Sequence, residues 1–476
     1  MAKILIAGSG FAGHYAALVL QDALKHTSGQ HEITVVTPNK NFIYLPSLVW
    51  VGIDKMNVNK VQFPLEPVYN KLGIKYIQGR LTEVYPDNNK ASIQKEDKNN
   101  IEFIYDYLLV ATGPKLNFEG TPGLGPVAGG NTYSICTPSH AIETATKYLN
   151  IVKEAKKGKK AKVVIGTGHG GATCQGAAFE YICNVHNDLV ERGLRDNIEL
   201  TWLSNEPKPG DFGIDGFEAK QGEMTLTAEM MINAIFEDYG IKQEIQSHVH
   251  KVDETKIYIE NIAGEKKELE YDFAMLIPQF KGHDIKWVDK DGNDIKDKMC
   301  NPAGFVKVDA VYGKTYDELD GPDWPKTYQN PLYRNIFAAG IAFAPPGPLS
   351  KPGKSPNGTV ISPAPPRTGY TSELAGKAAA LNIAAMIEGK EPTHTASMGE
   401  TPGLCIASMK SDFWGGTAGT IAVYPVARNR KMFPPTGRDT ASCIAEVGMA
   451  GAWMKWGLHH GFLYKLKANP LWKLIP

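Results

Sequence analysis

The sequence predicts an α/β fold of two Rossmann-like dinucleotide domains with a separate C-terminal region, and three features carry that expectation. Gly8, Gly10 and Gly13 in ILIAGSGFAG follow an apolar strand, and Gly166, Gly168 and Gly171 in VVIGTGHGG follow another about 160 residues later. A stretch with its own strands then comes after a helix expected to end at 387. Each glycine set lets the chain turn tightly, brings backbone N–H groups close to a pyrophosphate and aims a helix N-terminus at its charge. One such pattern is weak. Two are specific when each follows a strand and the first runs into the helical periodicity of AALVLQDAL.

Taken in order, residues 1–115 read as the first part of one dinucleotide domain, ending in DYLLVATGP with Ala111, Thr112 and Gly113 at its last turn. Residues 116–299 read as the second domain. Its run of six lysines between Lys153 and Lys162 is a solvated turn between helix and strand rather than a nucleic-acid patch. Residues 300–387 return to the first domain through NIFAAG at 335–340, with Gly340 and Ile341 at the turn. Eight prolines between Pro345 and Pro366 exclude helix and central strand, so this segment is an ordered loop over a site or a domain seam. A helix follows at 371–387, and residues 388–476 form the C-terminal region.

Composition limits the chemistry. The 476 residues have room for two or three domains with substantial cores. Fifty-one basic and 51 acidic side chains cancel, so no overall field draws the chain to nucleic acid. MAKILIAGSG passes straight into a strand and phosphate turn, so no signal peptide is expected, and no apolar run approaches a transmembrane span. Six dispersed cysteines do not form a disulfide framework in a chain this long.

The paired fingerprints match the two-dinucleotide-domain flavoprotein reductases, in which the first fold holds FAD and the second usually holds NAD(P)H. The second fold departs from that pattern. Thr173 and Cys174 in GATCQGAAFE stand where NAD(P)H-using members carry a glutamate, and in IELTWLSNEP only Glu206, placed late, is available as a ribose-binding acid. This predicts that the second fold no longer takes a nicotinamide nucleotide and that something else reduces the flavin.

Cys136 lies in SICTPSHA, Cys174 in GGATCQG and Cys405 in PGLCIASM. With HEITVVTPNKNFIYLPSLVWVG, ATGPKL, LIPQFKG, CNPAGFV, NIFAAGIA and RTGY, these contexts resemble the sulfide:quinone oxidoreductases, FAD-dependent members of the pyridine nucleotide-disulfide oxidoreductase superfamily. The resemblance covers essentially the whole chain. It implies an enzyme that oxidises sulfide to polysulfide or sulfur through cysteine persulfide and FAD and passes the electrons to a membrane quinone. It also implies a homo-oligomer. Cys183, Cys300 and Cys443 fit inert packing.

Two thiols on one face of a flavin suit this chemistry. Hydrosulfide attacks a disulfide or short polysulfide between Cys174 and Cys405 by thiol–disulfide exchange, leaving a persulfide on one cysteine and a thiolate on the other. Two electrons then pass to FAD. Cys174 at a helix N-terminus is expected to favour its thiolate. By resemblance Cys136 lies near the same flavin, where it either helps initiate exchange or forms a thioether to it. Glu180, six residues after Cys174, and His140, four after Cys136, stand where the family has acid–base candidates, and Asp211 in GDFG stands where some members have histidine.

FAD contacts are expected from Gly8, Gly10, Phe11, Ala12 and Gly13, from Pro46, from Ala111, Thr112 and Gly113, and from Gly340, Ile341, Thr368 and Gly369. The second strand, EITVVTPNKN, lacks the usual ribose-binding acid, which leaves Thr37 or Asn39 to act through neutral hydrogen bonds. Ile341 replaces the aspartate that most flavoprotein relatives place after AAG. Both changes recur among the sulfide:quinone oxidoreductases.

The tail is the second functional signal. From Val447 onward there is no acidic side chain, while Lys455, Lys465, Lys467 and Lys473 alternate with Trp453, Met454, Trp456, Leu458, Phe462, Leu463, Leu466, Trp472 and Ile475. That is the composition of amphipathic helices lying in lipid headgroups, so a peripheral, monotopic attachment to a bilayer surface is expected. By resemblance Lys455, Leu458 and Phe462 border the quinone channel. A tail packed on its own body is the plain alternative. Rival functions are a flavocytochrome c type sulfide dehydrogenase, a type II NADH:quinone oxidoreductase and a non-enzymatic flavin scaffold.

Overall fold

The computed structural model describes residues 1–475. Its first layer is an eight-stranded sheet whose order is Ile336–Ala338, Tyr107–Val110, Lys3–Ala7, Glu32–Thr37, Lys75–Tyr85, Lys90–Lys95 and Asn100–Ile104, with Lys286–Trp287 beside Lys75–Tyr85. The first five strands are parallel, with Ile4 opposite Ile33 on one side and Tyr107 on the other. KILIA and EITVVT are nearly continuous apolar runs because a parallel strand is covered on both faces. The chain re-enters this layer at Trp287, fully buried in the first core, before residue 300 where the sequence set the boundary.

A second sheet orders Ile241–Glu244, Ile198–Leu203, Ala161–Thr167 and Phe273–Ile277, all parallel. A third, antiparallel, joins Gly403–Lys410, Thr417–Val423 and Ile444–Gly448. Five helices place the site: α1 (Phe11–Leu24), α2 (Pro138–Ala155), α3 (Gln175–Glu191), α4 (Gly369–Ile387) and α5 (Met449–Leu466). α4 crosses α1 at backbone contact, since a Cβ on Gly376 would fall 2.3 Å from the Ala12 carbonyl oxygen.

The C-terminal region joins the two cores. Ala407, Met409, Ile421 and Val423 of its sheet pack into the second core, while Phe462, Leu463 and Leu466 of α5 pack into the first. Cys183, Cys300 and Cys443 are buried in these cores, as packing residues should be.

Candidate functional site

The first glycine turn is open. Gly8 has φ +109°, and a Cβ there would lie 2.1 Å from the Ala111 carbonyl oxygen; one on Gly13 would lie 2.1 Å from the Gly8 carbonyl oxygen, so both positions demand glycine. Gly10 and Gly113 face space instead, with nothing within 4 Å of a Cβ. The N-terminus of α1 has no side-chain cap and no acid in its first turn, and the first helical bond runs from the His14 N–H to the Gly10 carbonyl at 2.9 Å. Free N–H groups beside a space that only glycine leaves open fit a dinucleotide diphosphate. Gly340 meets Ala12, Gly369 lies against the Phe11 ring, and Thr368 stands at the N-cap position of α4 without a side-chain capping bond, so the late motif and the start of α4 converge on this turn with Ile341.

Of the two neutral ribose candidates, Thr37 is committed inward. Its hydroxyl accepts from Ser9 Oγ at 3.0 Å and from the Asn39 N–H at 3.3 Å, whereas the Asn39 side chain is exposed. Pro46 sits in the short turn Leu45–Ser47.

The second glycine turn is filled by the chain itself. A Cβ on Gly168 would fall 2.5 Å from Leu124, and Thr121 Oγ1 donates to the Gly168 carbonyl at 2.8 Å. Asn205 Nδ2 donates to the carbonyls of Gly170 and Ala172, both at 3.0 Å. The Ser362 and Ala364 N–H groups reach the same two carbonyls at 2.9 and 3.1 Å, so the proline-rich loop lies directly over the turn. Glu206 is not available to a ribose, because its carboxyl is fully buried and accepts from Ser204 Oγ and the Phe212 N–H, each at 2.7 Å. Burial and the nearby Asp211 push it up to about 8. Asp211 itself is raised to about 6 by burial and accepts from Ser350 Oγ.

Cys174 is the N-cap of α3, in left-handed backbone at φ +67°. A side chain in that region costs on the order of 1–3 kcal/mol and persists only where the surroundings hold it. Cys136, Cys174 and Cys405 are half-buried and pack on one apolar cluster, and the charge state of Cys174 is coupled to both of the others. A Cβ on Gly176, the second residue of α3, would lie 3.7 Å from Cys405 Sγ. All six cysteines are free thiols. The expectation of a thiolate-favouring Cys174 is corrected: the helix N-terminus is there, but desolvation outweighs it and pushes the thiol up to about 12. Burial likewise pushes Cys136 and Cys405 up to about 11.

Glu180 faces this cluster from α3 and Lys455 from α5. Both are buried, with Lys455 Nζ 2.9 and 3.0 Å from the two carboxylate oxygens and 3.0 Å from the Ile406 carbonyl. Burial raises the Glu180 pKa while Lys455 opposes the rise, and the charge state of Cys405 is coupled to both. His140, in the first turn of α2, packs edge-on to Phe118 at 5.7 Å with Nδ1 buried and without a hydrogen-bond partner. Burial lowers its pKa, and the charge of Glu143 opposes that shift.

α5 is less interfacial than its composition implies. Lys455 and Lys465 are buried in ion pairs with Glu180 and Glu373, Lys473 pairs with Asp22, and Trp456 stacks on Trp50 at 4.7 Å. Phe462 meets Phe11 of the first turn at 6.2 Å and Tyr44 at 5.8 Å, and Leu458 packs near Ile406. Left exposed are Trp414 at 78 %, Leu471 and Leu474 at about three-quarters, and Trp453, Met454 and Phe413 in part. Trp453 Nε1 donates to the Phe413 carbonyl at 3.0 Å, which ties the 411–416 turn to α5. Among the described residues no helix is long and apolar enough to cross a membrane.

The sequence reading missed Arg367. Its guanidinium is buried between the rings of Phe305 and Phe343, and its charge is coupled to Cys174. A lone cation inside PAPPRTGY was the available signal.

A family model described as pyridine nucleotide-disulphide oxidoreductase matches residues 2–277. The sulfide-quinone reductase of Aquifex aeolicus is 28% identical over 468 residues, 98% of this chain and 92% of that protein. The mitochondrial sulfide:quinone oxidoreductase of Dictyostelium discoideum is 24% identical over 344 residues, 71% of this chain and 64% of that one. The X-ray structure of the sulfide:quinone oxidoreductase from Aquifex aeolicus matches with a TM-score of 0.77 at 26% identity, covering 99% of this chain and 94% of that chain.

Proposed function

The chain belongs to the pyridine nucleotide-disulphide oxidoreductase family, and on that premise we propose that it is an FAD-dependent sulfide:quinone oxidoreductase. The observation that carries this reading is the gathering of Cys136, Cys174 and Cys405 on one cluster while the second dinucleotide turn is closed by the chain's own groups. The enzyme therefore has sulfur chemistry in place of a nicotinamide site.

FAD, held at the open turn of Gly8, Gly10 and Gly13 with Ala111–Gly113, Gly340, Ile341, Thr368 and Gly369 around it, supplies a two-electron acceptor. The chain supplies the sulfur exchange. With Cys174 and Cys405 bridged, hydrosulfide breaks one S–S bond as it forms another, leaving a persulfide and a thiolate. The persulfide stays covalently bound to its cysteine until it is extended or released as polysulfide. Glu180 is the group placed to take the persulfide proton. Burial raises its affinity for that proton, and Lys455 stabilises the carboxylate that remains once the proton is passed on. Cys136 is a third sulfur that assists the exchange or anchors the cofactor. His140, edge-on to Phe118 with its Nδ1 buried and unpartnered, is the second acid–base candidate.

α5 links the two half-reactions, since Lys455 lies by the Cys405 strand and Phe462 by the flavin turn. A quinone would enter along Lys455, Leu458 and Phe462, and large apolar side chains at Trp414, Trp453, Leu471 and Leu474 are exposed. These side chains suit attachment to a lipid bilayer surface, with the chain assembled as a homo-oligomer.

Anaerobic mixing of the purified yellow protein with sulfide, and separately with NADH, tests the reading. Bleaching of the flavin band by sulfide alone, reversed by a short-chain quinone, is expected. Bleaching by NADH alone would replace it with the type II NADH:quinone oxidoreductase reading.

A further inference from the structure

Helix α3 ties Cys174 to the strand of Cys405. Asn184 Nδ2 and Asn187 Nδ2 donate from α3 to the carbonyls of Ser408 and Met409, at 2.6 and 3.1 Å, and both acceptors lie on Gly403–Lys410 with Cys405. A Cβ on Gly176 would come within 3.7 Å of Cys405 Sγ, so the start of α3 faces that sulfur. Where the Cys174 side chain points is then set by how the turn at 170–174 enters the helix. Cys174 stands at the N-cap, a position that ordinarily takes extended backbone, yet its φ is +67° and its ψ 34°. Left-handed backbone at a residue with a side chain persists only where the surroundings hold it.

Asn205 holds it from both sides. This residue follows the strand Ile198–Leu203 and is 1 % exposed. Its Nδ2 donates to the carbonyls of Gly170 and Ala172, both at 3.0 Å, and its Oδ1 accepts from Gln175 Nε2 at 2.9 Å. One amide therefore bonds the residue two before Cys174 and the residue directly after it. Gln175 closes the ring, with Nε2 reaching the Ala172 carbonyl at 3.3 Å, and the Asn205 N–H donates to Thr167 Oγ1 at 3.1 Å on the strand that leads into the turn. Two carbonyls require a donor and the Gln175 amide an acceptor, a combination that asparagine supplies and an ionised acid of the same length does not. In the segment where nucleotide-binding members carry a ribose acid, this chain turns an amide onto its own backbone.

We infer that Asn205 is a positioning residue for Cys174: by bonding Ala172 and Gln175 on either side, it holds the left-handed turn that presents this sulfur to Cys405. The role rests on the sulfide-oxidising reading, in which the two thiols work as a pair. Their pairing is measurable without sulfide or quinone. One glutathione disulfide oxidises both thiols: an S–S bond forms between Cys174 and Cys405, the S–S bond of glutathione breaks, and the two electrons and two thiol protons leave on two molecules of reduced glutathione. Disulfide geometry is specific, so the equilibrium constant of this exchange falls when Cys174 is free to turn away from its partner.

The test equilibrates the full-length, FAD-loaded protein without air in mixtures of reduced and oxidised glutathione, quenches with acid, alkylates the remaining thiols and counts the Cys174–Cys405 bridge by mass spectrometry. Asn205→Leu is expected to lower the equilibrium constant at least tenfold and Gln175→Leu at least threefold. The double variant should stay within twofold of Asn205→Leu, because both changes break the same bond. Tyr148→Phe, which removes the 2.6 Å bond to Asp188 at the far end of α3, is expected to lower the melting temperature and leave the constant unchanged. A merely structural Asn205 would cost melting temperature while the folded Asn205→Leu protein kept the wild-type constant, and that result overturns the proposal. So does a tenfold fall in Tyr148→Phe. Should Asn205→Leu fail to fold, an unchanged constant in Gln175→Leu overturns it. Wild type that forms no bridge at any glutathione ratio ends the two-thiol reading and this role with it, whereas a bridged wild type with unchanged variants ends this role alone.

Discussion

Lys455 of α5 and Glu180 of α3 form a buried ion pair, 2.9 Å from Nζ to Oε1, that fastens the C-terminal helix to the cysteine cluster. Removing one partner leaves an uncompensated buried charge, which costs about 3–5 kcal/mol. Lys455→Met is therefore expected to destabilise the protein by about that much in urea unfolding. Lys455→Met with Glu180→Gln should cost less than the sum of the two single changes. Additive single costs would show that the charges do not compensate one another.

Cys174→Ser and Cys405→Ser should each abolish bleaching of the flavin by sulfide while FAD stays bound, because the exchange needs both sulfurs. Stopped-flow absorbance under anaerobic conditions reads the first and the visible spectrum the second. Retained turnover in either variant would exclude a two-thiol route.

The open and filled turns respond differently to an added methyl group. Gly10→Ala meets nothing within 4 Å, so the apoprotein should unfold at an unchanged temperature while FAD is retained poorly. Gly168→Ala drives a Cβ to 2.5 Å from Leu124, and overpacking of this kind costs about 1–3 kcal/mol. That variant should lose thermal stability while its folded fraction binds FAD normally. Calorimetry of the apoproteins and flavin titration separate the two outcomes.

Glu206 gives stability a pH slope. Its folded pKa is raised from the ordinary carboxylate value to about 8, so between about pH 4.5 and 8 the native state keeps a proton that the unfolded chain has lost. Stability from this group is fully present on the acid side and falls as pH rises through that window, by up to about 1.4 kcal/mol per pH unit. Glu206→Gln should flatten the decline in denaturant midpoints measured from pH 5 to pH 8. An unchanged slope would mean that Glu206 is ionised in the fold.

Association with lipid is expected to depend on the exposed rim rather than on the lysines of α5. Withdrawing one large apolar side chain from water contributes about 1.5–3 kcal/mol. Trp414→Ala and Leu474→Ala should each lower sedimentation with anionic vesicles roughly tenfold, while Lys467→Ala acts weakly and loses its effect in salt. Equal binding by wild type and both apolar variants would place the contact elsewhere.

What the sequence determined by itself was local: strands, turns and the residue types that chemistry needs. The glycines of ILIAGSGFAG and the cysteines of GGATCQG and PGLCIASM are legible because backbone sterics and sulfur reactivity are properties of single residues and their immediate neighbours. The tertiary structure alone decided which groups meet and what water leaves behind. It closed the second turn with Asn205, Ser362 and Ala364, and drew Lys455 and Lys465 off the surface. It also desolvated the Cys174 thiol, which raises its pKa despite the helix N-terminus. These outcomes depend on desolvation and on neighbours far along the chain, which spacing in a sequence does not encode.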